Sequence, residues 1–187
     1  LMASLMQRSG AGDFLNDIAI SLMGRYRGGA AKVAITASSL FGSISGSTVA
    51  NVMSTGAITI PLMKRGGYSN TSAGAIEAVA STGGQLMPPV MGAVAFLMAE
   101  DLEVEYRVVA IAALVPSFLY YVGLFVQADL EAAKEGISRV DEELIPKFWT
   151  VVRQGWIFVI PFAILIVGLF WLNFELEEAA LDGCVAL

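Results

Sequence analysis

Two short runs in this 187-residue chain hold residues whose types and spacing could do chemistry. The first is Gly42-Ser-Ile-Ser-Gly-Ser47, followed by Thr48 and Asn51. The second is Thr82-Gly-Gly-Gln85, followed by Pro88-Pro89. Both are poor helix formers set inside uncharged stretches. Their side chains offer no acid or base at neutral pH, so the chemistry open to them is coordination. Unwound backbone presents carbonyl oxygens, glycine lets those oxygens approach closely, and small cations take several oxygen ligands. Ser45, Gly46 and Ser47 with Thr82, Gly83, Gly84 and Gln85 are therefore expected to replace the water around an ion such as Na⁺. A helix starting near Ser47 and Thr48 would also aim its free N–H groups and dipole at the same place, which suits a carboxylate. Ser47, Thr48, Asn51, Pro88 and Pro89 are the residues expected around such an anion.

Glu77 stands apart, as one carboxylate in an otherwise apolar helix. An acid inside a membrane segment is a functional candidate through proton or cation coupling. It also lies only about two turns from the polar run Ser69 to Ser72, from which it could reach water at the membrane surface. Both readings stay open. For Ser43 and Ser54 taken singly, plain helix–helix packing is the better account, because small and hydroxyl residues let membrane helices approach and bridge.

Composition sets the solvent. Hydrophobic residues make up 56% and charged residues 15%, against about 25% charged in an ordinary soluble domain, which marks a membrane protein. The chain has no histidine and one cysteine, so Ser-His and Cys-His catalytic pairs, histidine metal sites and an internal disulfide are excluded. It has no GxxxxGK[ST] loop for a nucleotide. No cofactor, no resident metal and no nucleic-acid partner is expected.

The elements that must position the two runs follow from charge. Val33 to Met63 is uncharged, with Arg25, Arg27 and Lys32 before it and Lys64 and Arg65 after it. Positive residues favour the cytoplasmic side, so both ends should lie on one face and residues 33–63 should form a re-entrant helical hairpin turning at Gly46. Split there, each arm has about 12–16 residues, or about 18–24 Å, short of the roughly 30 Å hydrocarbon core. Tyr68 to Ser72 can cap a following helix. That helix, 73–99, is broken at Thr82 to Gly84 and at the paired prolines, and such breaks are tolerated only against protein, ions or water. Glu100 to Glu105 then lies outside.

These motifs carry a resemblance. Gly42 to Asn51 (GSISGSTVAN), the exit Ile60-Pro61 with Lys64-Arg65-Gly66, and Ser81 to Gly92 (STGGQLMPPVMG) resemble the large membrane subunit of TRAP transporters, the tripartite ATP-independent periplasmic carriers of organic acids. The run Gln85-Leu-Met-Pro-Pro89 is most similar to the fused-permease branch that pairs with TAXI-type binding proteins. The resemblance covers nearly the whole chain, which looks like about half of such a subunit, without the second hairpin and second broken helix. It implies an all-α, polytopic membrane protein, one half of an inverted-repeat carrier, with sodium sites at hairpin tips beside broken helices. It implies a periplasmic substrate-binding protein, a small membrane subunit or fused domain and the remaining half of the permease as partners, in a bacterial or archaeal inner membrane.

The remaining segments complete the expected topology. Residues 1–32 should hold the end of a membrane helix at Leu1 to Met6 and an amphipathic arm helix with Phe14, Leu15, Ile18, Leu22 and Met23 on its apolar face. A packed helix of soluble type fits that pattern as well. Residues 106–187 should give further spans, Val108 to Val126 with a kink at Pro116 and Gly155 to Phe174, around a cytoplasmic loop 127–154 that is helical near Asp129 to Gly136. No basic leader with a cleavage site opens the chain at Leu1, and an apolar run is starting where it stops, so a fragment is expected. The function expected is that of an ion-coupled permease subunit rather than an enzyme. A channel with a re-entrant pore loop is the alternative. An intramembrane serine hydrolase at Ser45-Gly46 is a weak third, since a Ser–Lys dyad would need Lys32 or Lys64, both at the ends of the hairpin.

Overall fold

A computed structural model of the chain describes residues 10–170. The expected helix tail at Leu1 to Met6, the end of the last expected span, the acids from Glu175 to Asp182 and Cys184 lie outside the described residues. The described part is helical: α1 (Ala11–Met23), α2 (Gly29–Ser45), α3 (Thr48–Arg65), α4 (Asn70–Gly83), α5 (Val94–Asp101), α6 (Tyr106–Glu135), α7 (Phe148–Gly155) and α8 (Val159–Phe170). Short 3₁₀ turns occupy Glu142–Leu144 and Trp156–Phe158.

Helices α2 and α3 form an antiparallel hairpin joined by two residues. Gly46 takes the left-handed conformation (φ 59°) and ends α2 with its N–H on the Gly42 carbonyl, and Ser47 is extended and caps α3. The arms hold 17 and 18 residues, about 26 Å each. They are longer than the 33–63 span predicts, because α2 starts at Gly29, within the basic flank, and α3 runs through Pro61 to Arg65. A proline this close to a helix end gives up one backbone bond and leaves the last turn intact. Where the sequence predicts a helix 73–99 broken at Thr82 to Gly84, α4 starts earlier, at Asn70, and continues through Thr82 and Gly83, and ten non-helical residues, 84–93, separate it from α5.

Helices α2, α3 and α4 pack on one another, and α6 lies against α2, α4 and α5. The core between them is built of small residues: Ala30, Ala31 and Ala34 of α2, Ala73 and Ala80 of α4, and Ala128 and Ala132 of α6, closed by Ile35, Met63, Tyr68 and Tyr121. Small side chains let helix backbones approach and gain dispersion contacts along their length. Helix α6 turns its bulky residues outward instead, with Ile111, Leu114, Val115, Phe118, Leu119, Val122 and Val126 exposed. It is the one described helix long and apolar enough to cross a membrane. Its 30 residues span about 45 Å, so the expected span 108–126 and the expected loop helix near Asp129 are one continuous element. Asp129, Glu131 and Lys134 are compatible with a helix and end only the apolar run, not the fold.

Helix α1 packs on α2 and α7, and the buried set is Ala11, Phe14, Asn16 and Ala19. Leu22, on the apolar face read from the sequence, is 42% exposed, as an interfacial helix allows and a fully packed one does not. The contact face is the small one, with Ala19 against Val33 and Ala37 and Gly12 facing Ser54. Asn16 pays for its burial with one bond, from its amide nitrogen to the Gly12 carbonyl at 2.9 Å.

Candidate functional site

The hairpin tip and the helix break meet. The Val90 N–H donates to the Ser43 carbonyl at 3.1 Å. A Cβ on Gly46 would lie 1.9 Å from the Met91 carbonyl oxygen, and one on Gly42 would lie 2.4 Å from Gly84 Cα. Only residues without side chains allow backbones this close. Met91 itself has a positive φ of 56°, a conformation that costs a non-glycine residue energy and needs its neighbours to hold it. Tyr106 at the start of α6 helps, its hydroxyl lying 2.9 Å from the Pro89 carbonyl and 2.5 Å from that of Val90.

Each predicted residue takes a defined position around this junction. Ser45, Gly46 and Thr48 are half-buried and Ser47 is exposed. The Ser47 hydroxyl accepts from the Ala50 N–H at 3.4 Å, as an N-cap does. The Thr48 hydroxyl is buried and without a hydrogen-bond partner. Gly83 and Gly84 are buried, while Thr82 and Gln85 are exposed. The Thr82 hydroxyl donates to the Ala78 carbonyl at 2.8 Å, and the Gln85 carbonyl accepts from the Gly92 N–H at 2.8 Å. Pro88 is half-buried and Pro89 buried. Asn51 points into the hairpin, its amide donating to the Ser38 carbonyl at 2.8 Å.

A second polar cluster lies further from the tip, around Glu77. This acid is 0% exposed, so the reading in which it reaches surface water does not hold in this structure. Its Oε1 accepts from Ser38 (3.1 Å), Thr55 (2.6 Å) and Ser81 (3.1 Å), and its Oε2 from Thr59 (2.5 Å). Sequence reasoning singled out the acid and missed all four hydroxyls. The signal was there: Asn51, Thr55 and Thr59 repeat every four residues, a polar stripe on one face of an otherwise apolar helix.

At the other end of the hairpin, Asp129 on the extension of α6 beyond its apolar run pairs with Arg27 and with Lys32, the latter at 2.6 Å. Hydrogen bonds from these two cations hold its carboxyl down at about 2. Nearby, burial first and then the charges of Glu131, Glu135 and Asp129 push the Tyr68 hydroxyl up to about 12.

All 187 residues match the DctM component of the tripartite ATP-independent periplasmic transporters. The chain belongs to that family. It is 27% identical over 181 residues to the sialic acid TRAP transporter permease protein SiaT of Haemophilus influenzae, covering 97% of this chain and 29% of that protein. It is 29% identical to the C4-dicarboxylate TRAP transporter large permease protein DctM of Pseudomonas aeruginosa, covering 99% of this chain and 43% of that protein. It is 26% identical to the sialic acid TRAP transporter large permease protein SiaM of Vibrio cholerae, covering 96% and 42%. The chain thus spans less than half the length of these relatives. As a member of the DctM family it is a transporter component rather than an enzyme, and the family is one of integral membrane permeases.

Proposed function

We propose that this DctM-family chain forms half of the transport site of an Na⁺-coupled secondary transporter that imports a small organic anion. The observation that carries this reading is the junction itself, where two interruptions of helical backbone, 46–47 and 84–93, are brought into contact through Gly42, Gly46 and Gly84. Discontinuous helices meeting in this way are how secondary transporters build ion and substrate sites. Ser45, Gly46, Ser47, Thr82, Gly83, Gly84 and Gln85 supply oxygens to Na⁺. The start of α3 at Ser47 and Thr48, with Pro88 and Pro89, faces the carboxylate of the substrate, and Asn51, expected beside that anion, instead ties α3 to α2 from inside the hairpin. The hairpin is re-entrant, with Arg25, Arg27, Lys64 and Arg65 on the cytoplasmic side of an inner membrane crossed several times by the whole protein. The substrate arrives on a periplasmic binding protein, of the TAXI type by the run Gln85 to Pro89. A small membrane subunit or fused domain and the other half of the permease complete the assembly.

The test is uptake into proteoliposomes holding the complete permease assembly. Accumulation should require an inward Na⁺ gradient and the added binding protein together. Ion flux that proceeds without substrate or binding protein would overturn the carrier in favour of a channel.

A further inference from the structure

Glu77 carries no role in the ion and anion site at the junction, and its surroundings are unusual for a buried acid. Its hydrogen bonds come from hydroxyls alone, contributed by three helices: Ser38 on α2, Thr55 and Thr59 on α3, and Ser81 on α4 itself. The charged groups on the elements packed against α4 stand elsewhere. On α2, Lys32 is engaged with Asp129. On α3, Lys64 and Arg65 are exposed at the end of the helix. On α6, Asp129 and Glu131 lie in the last turns, and Tyr120 and Tyr121 use their hydroxyls on the Val79 and Ala80 carbonyls. A buried carboxylate with no cation beside it is costly.

The hydrogen count explains how the site tolerates that acid. Each hydroxyl has one hydrogen to give. With Glu77 ionised, all four point at the carboxylate, three to Oε1 and one to Oε2. With a proton on Oε2, the acid O–H donates to Thr59 Oγ1, and the Thr59 hydrogen turns to the Thr55 carbonyl 3.0 Å away. Oε1 keeps its three donors. Rotation of one hydroxyl therefore satisfies either form, with no group left unpaired. The cluster does not offer the same welcome to a metal ion. The hydroxyls touch the carboxylate directly, and the Gly56 backbone packs so close that a Cβ there would sit 3.1 Å from Glu77 Cγ.

We propose that Glu77 is a proton-binding site of the permease, taking up a proton from water at Oε2 and returning it from the same atom, with Thr59 as the hydroxyl that reorients. No other bond is made or broken. With the side chain fully buried, exchange with water requires the seam between α3 and α4 to part, so proton binding is tied to movement of the hairpin against the broken helix. Coupling of this proton to transport rests on the carrier reading above; the site itself does not.

Infrared difference spectroscopy of the complete transporter in lipid nanodiscs, between acid and alkaline pH, tests the site without requiring transport. Acidification should bring up a carboxylic-acid C=O band that is absent in Glu77→Gln. In Thr59→Val, which keeps the side-chain shape but cannot accept the acid proton, the band should move in frequency. Absence of the band in the wild type, or a band unchanged in both variants, overturns the proposal. If Glu77→Gln does not fold, the Thr59→Val shift decides. In proteoliposomes at a fixed Na⁺ gradient, accumulation in the wild type should change about tenfold per unit of imposed pH gradient for one coupled proton, and not at all in Glu77→Gln. Equal pH-gradient dependence in both overturns the coupling. A band without any uptake would instead count against the carrier reading alone.

Discussion

The same three helices are sealed by opposite devices at two levels. At the tip, the end of α2 and the break that follows α4 touch through backbone, with Gly42 against Gly84 and Gly46 against the Met91 carbonyl. Around Glu77 they touch through side chains, with four hydroxyls closing on one acid. The first device tolerates no added atom. The second can rearrange, because hydroxyls rotate and each of the two threonines has a backbone carbonyl within reach. A rigid contact and an adaptable one therefore share a single seam, and the adaptable one surrounds the titratable group.

The contrast is broken most severely at the tip. Gly46→Ala places a methyl group on the Met91 carbonyl at a positive φ. We expect a loss of about 3–4 kcal/mol or failure to recover folded protein, measured as thermal unfolding in nanodiscs. Glu77→Leu sharpens the comparison. Thr55 and Thr59 can turn to the Asn51 and Thr55 carbonyls at 2.9 and 3.0 Å, which leaves Ser38 and Ser81 as the main losers. A cost of only about 1–2 kcal/mol is expected. A cost equal to that of Gly46→Ala would show that both levels are rigid.

The smallest effect belongs to the ion pairs of Asp129, outside the seam. Its carboxyl is held at about 2 in the folded protein and returns to about 3.9 when unfolded. Stability from the pairs is then fully present above about pH 4 and is lost as pH falls toward about 2. The difference in melting temperature between wild type and Asp129→Asn should be small, constant from about pH 5 to 8, and should shrink on further acidification.

Much of this arrangement was legible in the residues themselves. Gly42-Ser-Ile-Ser-Gly-Ser47 marked the turn because no other stretch combines so little helix propensity with so little charge. The contact between tip and break followed from the cost of leaving two sets of backbone groups in hydrocarbon. What could not be read was depth within the packing. Glu77 lies near a polar helix start in sequence, and only the assembly of α2 and α3 over it removes it from water. The extent of α6 was misjudged for a related reason. Hydropathy registers where a membrane segment ends, whereas the helix itself continues through Asp129 to Glu135 because nothing there breaks it.

The clasp between Lys32 and Asp129 works as a depth gauge. Asp129 stands three residues beyond Val126, the last residue of the apolar run, or about 4.5 Å further along α6. Lys32 is tied to that level, and Gly46 is fourteen residues further along α2, about 21 Å. On the re-entrant reading proposed above, and with both helices laid along the bilayer normal, the tip would come to rest about 16 Å into a hydrocarbon layer of about 30 Å, near its centre. From there the barrier to either aqueous side would be of nearly equal thickness.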